Sequence, residues 1–180
     1  YNTARYLVEK GFHVFGSVRK QSDADRIKAN LGDQFTPLIF DVTDVEALKI
    51  AVDQVKAIIG SAGLKALVNN AGISIFGPLM HLSPEEFRKQ LDINVIGAFC
   101  VTQAFLPLLG TDKKSTRSPG RVVNISSISG KIAFPFFGAY AASKFALEAM
   151  SDALRVELNF YGIDVIIIEP GFTATPILDK

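Results

Sequence analysis

Hydrophobic and polar positions along the chain follow two periodicities that alternate from one segment to the next. Short and nearly unbroken apolar runs, such as FHVFGSV and IDVIIIEPG, are typical of strands that are covered on both faces. Between these runs, apolar residues recur every three or four positions over longer segments, which indicates helices. The regular alternation of strand and helix predicts an α/β fold built on a doubly wound parallel sheet.

Turn and capping residues set the limits of these elements. The predicted strands are FHVFGSV, FTPLIF, KALVN, RVVNIS and IDVIIIEPG. The predicted helices are ARYLVEKG, SDADRIKANLG, TDVEALKIAVDQVKAIIG, SPEEFRKQLDINVIGAFCVTQAFLPLLG and AYAASKFALEAMSDALRVELNFYG. We expect Ser22 or Asp23 to cap the second helix. We expect Thr43 or Asp44 to cap the third, and Ser83 to cap the fourth.

The first strand of such a sheet is missing from the pattern. A nucleotide-binding sheet of this type begins with a strand and a glycine-rich turn, whereas this chain begins inside the helix that follows them. In the strand order 3-2-1-4-5-6 the first strand is central, so the strands near Val14 and Val68 would flank unpaired backbone groups. We therefore expect residues before Tyr1 in the natural protein and poor folding of these 180 residues alone. Residues 1–180 are predicted to form one domain that is truncated at both ends.

Composition narrows the classes of partner and compartment. With 19 basic and 18 acidic residues, the net charge of +1 favours neither a nucleic acid nor an anionic membrane as partner. The single cysteine, Cys100, excludes an intrachain disulfide and a multi-cysteine metal site, and we predict no metal. It fits a reducing compartment, and we expect a cytoplasmic location. The uncharged run 93–110 is interpreted as a buried helix rather than a membrane span.

One helix carries a candidate catalytic pair. Tyr140 and Lys144 in GAYAASKFALEAM lie four positions apart, which places them on the same helix face. A free tyrosine has a pKa near ~10, and lowering it by ~3 pH units takes about 4 kcal/mol. One cation at ~4 Å supplies about that much at an effective dielectric constant near 20. The alternative is a packed aromatic ring beside a solvated amine, since this spacing often arises by chance.

Other polar residues stand where the predicted sheet would bind a ligand. Ser126 and Ser127 follow one strand, and the amides of LVNNAG follow another, although both stretches also suit simple turns. In an open α/β sheet, ligands bind at the carboxyl ends of the strands. Asn94 lies within an apolar helix, where asparagine is disfavoured, so it is either a buried structural link or part of a site.

Together these stretches resemble the short-chain dehydrogenase/reductase family in its shorter subtype. The motifs are NNAG at 69–72, SSISG at 126–130, YAASK at 140–144 and PGFTAT at 170–175, and the resemblance covers essentially the whole chain. It implies a Rossmann fold and an enzyme that interconverts an alcohol and a carbonyl with a nicotinamide cofactor. The glycine-rich phosphate loop of the family has no counterpart here.

The resemblance implies a role for each residue of a catalytic tetrad. Tyr140 matches the general acid/base, and Lys144 matches the lysine that lowers the tyrosine pKa and binds the nicotinamide ribose. Ser127 matches the serine that orients the substrate oxygen, with Ser126 as the weaker candidate. Asn94 matches the asparagine that holds a water molecule in a proton relay to the lysine.

The resemblance also implies the contacts to the cofactor. Apart from Tyr140 and Lys144, the implied cofactor-binding residues are Arg19, Asp41, Val42, Asn70, Ala71, Gly72, Pro170, Gly171, Thr173 and Thr175. Val18 stands at the end of the second strand of the family fold, where an NAD-selecting aspartate would be, and Arg19 follows. Arginine suits recognition of the extra phosphate, so we predict NADP, with NAD as the alternative. Arg19 could equally be an ordinary surface charge at a strand end.

Aromatic residues near the tetrad bear on the substrate. They are Phe134, Phe136, Phe137 and Phe172. Such rings suit an apolar alcohol or carbonyl, of steroid, retinoid or long-chain type, or else they pack the core or a subunit interface. The alternative functions are an NAD-dependent epimerase or dehydratase of the same superfamily and a non-catalytic cofactor-binding protein.

The two longest predicted helices, 84–109 and 139–161, are apolar beyond what one buried face requires. In the family that the chain resembles, the equivalent helices pair across a two-fold axis. We therefore expect a homodimer or a homotetramer that is formed through these helices.

Overall fold

The computed structural model describes residues 1–112, 118–171 and 173 of the chain. The chain divides into two compact units, Tyr1–Ile58 and Ile59–Lys180. Each unit holds its own parallel sheet, with strand order β1-β2 in the first and β3-β4-β5 in the second.

The first unit alternates helix and strand from its start. Its elements are α1 (Asn2–Glu9), β1 (Val14–Val18), α2 (Gln21–Leu31), β2 (Phe35–Ile39) and α3 (Val45–Ile59). Strands β1 and β2 are parallel, with Val14 opposite Phe35 and Val18 opposite Ile39. Gly16 is required on β1, because a Cβ there would lie 2.5 Å from the Phe35 ring. This close approach lets the buried Phe35 ring cover the strand.

The second unit holds β3 (Leu67–Asn69), β4 (Arg121–Ile125) and β5 (Asp164–Ile168). All of its strand pairs are parallel, and the register sets Asn69 opposite Asn124 and Ile125 opposite Ile168. The core cluster on this sheet consists of Leu109, Val122, Leu158, Ile163 and Val165. The strands therefore end together, and the segments that follow Asn69, Ile125 and Ile168 leave the same edge of the sheet.

A long helical stretch, Pro84–Thr111, crosses this unit. It consists of α4 (Pro84–Leu91), a π-helical segment (Asp92–Gly97), α5 (Ala98–Leu106) and a second π-helical segment (Pro107–Thr111). Ser83 opens it with a capping box, in which Ser83 Oγ accepts from Glu86 N at 3.1 Å and Glu86 Oε2 accepts from Ser83 N at 3.0 Å. By length and composition alone the stretch could cross a membrane, but core helices pass the same test. Here its apolar side packs on β3 and α6.

The longest single helix is α6 (Gly138–Leu158), which carries Tyr140 and Lys144 in its first two turns. A 3₁₀ turn over Asn159–Tyr161 and the left-handed Gly162, with φ at 67°, end it. The helix packs against the π-helical segment, β5 and the 3₁₀ turn Ile128–Gly130. It is thereby fixed against the segments that leave β4 and β5.

Every predicted strand and helix is present, and the parallel sheets confirm the α/β prediction. Within each unit, the strand pairings are ones that the predicted order 3-2-1-4-5-6 contains. Asp44 caps α3 as expected, since its Oδ1 accepts from Glu46 N and Ala47 N. The prediction for α2 was wrong, because the helix begins earlier. Its N-cap is Lys20, which makes no side-chain bond.

Candidate active site

The second unit brings the side chains of Ser127 and Tyr140 together. Ser127 lies two residues beyond the end of β4, and Tyr140 lies in the first turn of α6. The Ser127 hydroxyl is close enough to the Tyr140 phenol to lower its pKa. Ser127 Oγ also accepts from Ser129 N at 3.1 Å, at the start of the 3₁₀ turn that packs against α6. Two elements therefore orient the serine hydroxyl toward the phenol oxygen.

Ser126, the weaker candidate, faces away from this pair. Its Oγ is buried and has no hydrogen-bond partner among the described residues. A Cβ on Gly130 would lie 2.8 Å from that oxygen, so Ser126 points under the 3₁₀ turn. The geometry therefore supports Ser127 as the residue that can reach a substrate oxygen beside Tyr140.

The pKa of Tyr140 is raised, whereas from the sequence we expected Lys144 to lower it. Burial raises the pKa of Tyr140 above its usual 10.0, and the hydrogen bond with Ser127 offsets this in part. Lys144 does not reverse the shift because its Nζ lies over the ring, 5.6 Å from the centroid, and donates to Ile125 O at 2.7 Å. The ammonium thus makes a cation–π contact rather than a contact with the phenol oxygen.

Lys144 is a buried cation. Only 5% of its surface is exposed, and burial lowers its pKa from 10.5 to about 8. The carboxylate of Glu148, one turn further along α6, opposes that shift. At neutral pH the side chain therefore keeps its charge, although with little margin.

Asn94 ties three segments of the site together. It lies in the π-helical segment, a kind of irregularity that is frequent at functional sites. Its Oδ1 accepts from Ile73 N at 2.9 Å, and its Nδ2 donates to Ile73 O and to Ser143 Oγ, both at 3.0 Å. Ser143 Oγ in turn donates to Tyr140 O at 2.7 Å. Asn94 is therefore a buried structural link that reaches the first turn of α6, and its relay role stays a prediction.

Gln90 makes the same kind of contact one turn earlier on the helix. It is 0% exposed, accepts from Ile75 N at 2.8 Å and donates to Ile73 O at 2.8 Å. Together Gln90 and Asn94 clamp the backbone that follows the NNAG motif. Sequence reasoning missed Gln90, and the available signal was a polar residue four positions before Asn94.

The NNAG motif divides into a structural and an exposed part. Asn69 is buried, and its Nδ2 donates to Thr102 Oγ1 and to Asn124 Oδ1, both at 2.8 Å. The predicted cofactor contacts Asn70 and Ala71 are exposed, and Gly72 follows beneath Asn94. A Cβ on Gly72 would lie 3.3 Å from Asn94 Oδ1, so the turn leaves little room for a larger residue.

The predicted contacts after β5 are only partly described. Pro170 O accepts from Ile128 N at 3.0 Å, which joins the end of β5 to the 3₁₀ turn beside Ser127. Gly171 and Thr173 are exposed. Thr175 and Phe172 lie outside the described residues.

The first unit carries the remaining predicted cofactor contacts, Arg19, Asp41 and Val42. Arg19 follows the end of β1 and is exposed, whereas Asp41 and Val42 after β2 are half-buried. The hydrogen bonds from the backbone and the hydroxyl of Thr43, at 3.0 and 2.7 Å, hold the pKa of Asp41 below its usual value, and the charge of Arg19 adds to this. Asp41 is therefore an ionised carboxylate that orders the turn before α3.

Apolar side chains flank the first turn of α6. Phe136 has a left-handed backbone, with φ at 68°, and its side chain is 61% exposed. Gly77 N donates to Phe136 O at 3.0 Å, and the rings of Phe76 and Phe137 meet edge to face at 4.7 Å. Leu79 packs on Gly138, where a Cβ would lie 2.7 Å from Leu79 Cδ1. These contacts hold exposed apolar surface beside Tyr140.

The geometry of the second unit has a counterpart among known proteins. The family model described as short chain dehydrogenase matches residues 1–180. The chain belongs to the short-chain dehydrogenase family. The motifs at 69–72, 126–130 and 140–144 thus have the family context that their sequence indicated.

Relatives of known activity are longer than this chain. An NADPH-dependent 3-dehydrocapnine reductase from Ornithobacterium rhinotracheale is 44% identical over 174 residues, which are 97% of this chain and 61% of that protein. Retinol dehydrogenase 16 from Mus musculus is 39% identical over 175 residues, which are 97% of this chain and 53% of that protein. The chain therefore spans between about half and three fifths of the length of these short-chain dehydrogenases.

A solved short-chain dehydrogenase from Streptomyces avermitilis has the same fold. It superposes with a TM-score of 0.85 at 35% identity, over 96% of this chain and 60% of that one. This likeness confirms the Rossmann-type α/β fold of the family.

Proposed function

We propose that the protein is an NADP(H)-preferring oxidoreductase that interconverts a secondary alcohol and a carbonyl. The observation that carries the proposal is the placement of the Ser127 hydroxyl beside the Tyr140 phenol, with the Lys144 ammonium over the tyrosine ring. Such a pair can hold a substrate oxygen and exchange one proton with it, which is the proton chemistry of an alcohol–carbonyl interconversion. The relatives named as a reductase and as a retinol dehydrogenase support this class.

At neutral pH, the protonation state of Tyr140 suits proton donation to a carbonyl oxygen. The bound nicotinamide cofactor supplies the hydride. Tyr140 Oη gives its proton to the carbonyl oxygen, and the Ser127 hydroxyl donates a hydrogen bond to the same oxygen. Because its pKa is raised, Tyr140 holds this proton throughout the neutral range. In the reverse direction the phenolate is the base, so oxidation should become faster as the pH rises.

The residues present fit the cofactor. The Lys144 ammonium has three protons, one of which goes to Ile125 O, and it is a donor that suits the hydroxyls of a ribose. In the first unit, the exposed Arg19 guanidinium follows a strand end, where it suits a phosphate. The relative named NADPH-dependent, at 44% identity, supports NADP over NAD.

We further propose an apolar substrate. Phe76, Leu79, Met80 and Phe136 all expose a large part of their apolar side chains in the region around Gly138. Leu79 also lines a cavity of ≈ 320 Å³ together with Leu82, Pro84 and Phe87. Apolar walls with a few polar groups are the usual lining of a small-molecule site. The named retinol dehydrogenase is a relative with an apolar substrate.

The first test is the substitution Tyr140→Phe in the intact protein. Oxidation of NADPH with a panel of ketones and aldehydes, from steroids and retinoids to short polar carbonyls, gives the activity and the substrate class. Tyr140→Phe should lower kcat by at least about 10³-fold, because it removes the phenol that gives the proton, while the Kd for NADPH changes little.

Tyr161→Phe is the matched control, since Tyr161 is an exposed tyrosine at the end of the same helix. It should retain full turnover. Near-normal turnover in Tyr140→Phe would refute the proposed function. Cofactor that stays bound through purification would instead favour an epimerase or dehydratase.

The preference for NADP is tested at Arg19. Replacing Arg19 by Ala removes the phosphate partner, so kcat/KM should fall about 10- to 100-fold with NADPH and stay nearly constant with NADH. Lys20→Ala is the control, because Lys20 is the neighbouring exposed cation at the N-cap of α2. Equal losses with both cofactors in Arg19→Ala would reject the phosphate role.

A further inference from the structure

A buried carboxylate lies one turn beyond Lys144. Glu148 and Lys144 are four positions apart on α6, and each is only 5% exposed. Tyr140, Lys144 and Glu148 therefore form one column of three ionisable side chains along the same helix face. The proton chemistry proposed above uses the first two members of the column and leaves Glu148 without a function.

Glu148 is fixed by an ion pair from outside the helix. Its Oε2 lies 2.9 Å from Lys131 Nζ, and the same ammonium lies 3.5 Å from Glu169 Oε1 at the end of β5. The other oxygen, Oε1, is buried beside Gly130, 3.0 Å from where a Cβ would lie, and has no hydrogen-bond partner among the described residues. The carboxylate thus lacks the full set of hydrogen bonds that usually accompanies a buried charge.

Stability alone does not account for a glutamate at this position. A buried ion pair is often no more stabilising than apolar residues of the same size, since both charges lose their hydration. Lys131 is half-exposed, so solvent screens its attraction to Glu148. Lys144 is fully enclosed, and its charge interacts with Glu148 across the protein interior. The carboxylate therefore makes its closest ion pair with Lys131, and it also favours the charged form of the buried Lys144 one turn away on α6.

No other described anion is placed to do this. On α6 itself, Tyr140 is neutral at neutral pH because its pKa is raised. The cation Lys131 follows the 3₁₀ turn Ile128–Gly130. Glu169, just after β5, is exposed and paired with Lys131. The packed face of the π-helical segment presents the neutral Asn94, and its Asp92 is exposed. The charged side chains of α4 are all exposed, namely Glu85, Glu86, Arg88 and Lys89.

We propose that Glu148 is a positioning residue that keeps Lys144 in its ammonium form, anchored on its far side by Lys131. The inference rests on the proposed function for its link to turnover, but the charge of Lys144 is measurable without it. Burial alone drives a lysine toward the neutral amine, and a carboxylate one turn away counteracts this. Without this carboxylate, the cation over the Tyr140 ring would already be lost near neutral pH.

The test compares Glu148→Gln with wild type in the intact protein. The ¹³Cε resonance of Lys144 in ¹³C-lysine-labelled protein, assigned by its loss in Lys144→Met, reports the ionisation directly. We expect its midpoint to fall from about 8 in wild type by about one pH unit or more in the variant. The basic limb of the pH profile of kcat/KM for NADPH-dependent reduction should move down with it, lowering the rate about fivefold at the pH of the wild-type midpoint for a shift of about one pH unit.

Glu157→Gln is the matched control, because Glu157 is an exposed glutamate on the same helix. It should leave both the resonance and the pH profile unchanged. Glu148→Asp keeps the charge and should restore most of the wild-type behaviour. If the Gln variant fails to fold, the pair Glu148→Asp and Glu148→Asn makes the same comparison at equal side-chain length.

A Lys144 titration that stays within about 0.3 pH unit of wild type in a folded Glu148→Gln protein would overturn the inference. A uniform loss of activity with an unmoved pH profile would also overturn it, because that is the signature of a structural role. Failure of the proposed function has a different signature. Tyr140→Phe would then remain active, while the ¹³Cε titration would still shift in Glu148→Gln.

Discussion

Two residues of this site, Tyr140 and Lys144, have pKa values that differ from their ordinary ones. Lys144 is held in an interior that lowers its pKa, and Tyr140 is held where burial raises its own. Both shifts have the same physical cause, since a poorly solvated site disfavours the charged form of either group. Tyr140 therefore stores a proton, while Lys144 supplies a positive charge that lasts to about pH 8.

The ionisation of Lys144 predicts how stability changes with pH. Between about pH 8 and 10.5 the unfolded chain binds the lysine proton and the folded protein does not, so the free energy of unfolding should rise with pH in this window. The difference in pKa corresponds to about 3 kcal/mol. Urea denaturation at a series of pH values should show this rise in wild type and lack it in Lys144→Met.

Lys89→Met removes an exposed lysine and serves as the control. It should keep the rise of the wild type between about pH 8 and 10.5. Parallel stability curves for wild type and Lys144→Met over this window would show that the lysine is not perturbed by burial.

At the scale of elements, the site depends on hydrogen bonds that hold the loop after the NNAG motif against the helical stretch Pro84–Thr111. The segment after the NNAG motif has no regular structure of its own, and Gln90 and Asn94 hydrogen-bond its backbone at Ile73 and Ile75. The π-helical segment begins at Asp92, between these two side chains. The two buried side-chain amides thus satisfy backbone N–H and C=O groups of this loop, as a neighbouring strand would in a sheet.

The substitution Gln90→Ala tests the role of these hydrogen bonds. The substitution leaves Ile75 N and Ile73 O without their buried partner, so the free energy of unfolding should fall by about 2–4 kcal/mol. The same change frees the neighbouring turn Asn70–Gly72, so the KM for the cofactor should rise more than kcat falls. Chemical denaturation and steady-state kinetics measure the two effects.

Gln103→Ala removes an exposed glutamine from α5 and is the matched control, with an expected change below about 0.5 kcal/mol. If Gln90→Ala loses stability with unchanged kinetics, the clamp supports the fold and has no part in shaping the site.

At the scale of the whole molecule, two long helices keep apolar residues on their exposed sides. Ile96 and Phe99 lie on the stretch Pro84–Thr111, and Phe145 and Val156 lie on α6, each more than a third exposed. Large exposed apolar surfaces on helices mark interaction sites in soluble proteins. We propose a homodimer or homotetramer that covers these two helices.

Analytical ultracentrifugation of the intact protein should show a dimer or tetramer. The double substitution Phe99→Asp and Phe145→Asp should weaken the self-association by at least about tenfold, because charges would be buried in the interface. Ile50→Asp, on the exposed side of α3, is the control and should leave the assembly intact. A monomer at all concentrations for wild type would contradict the proposal.

Much of this architecture could be predicted from the sequence because the signals are local. Apolar runs, helical periodicity and capping residues such as Ser83 and Asp44 depend on neighbours along the chain, so they identify strands, helices and their order. The motif spacing likewise identified the pair Tyr140 and Lys144. The start of α2 was misplaced because Ser22 and Asp23 suit a cap equally well inside the first turn.

What only the tertiary structure decided is the environment of each group. Whether Ser126 or Ser127 meets Tyr140, whether Lys144 acts on the phenol oxygen or the ring, and what Gln90 and Glu148 contact all depend on packing between distant segments. Local sequence carries the chemistry that a residue can perform. The folded interior decides its ionisation and direction, because solvation and charge interactions are set by atoms that are remote along the chain.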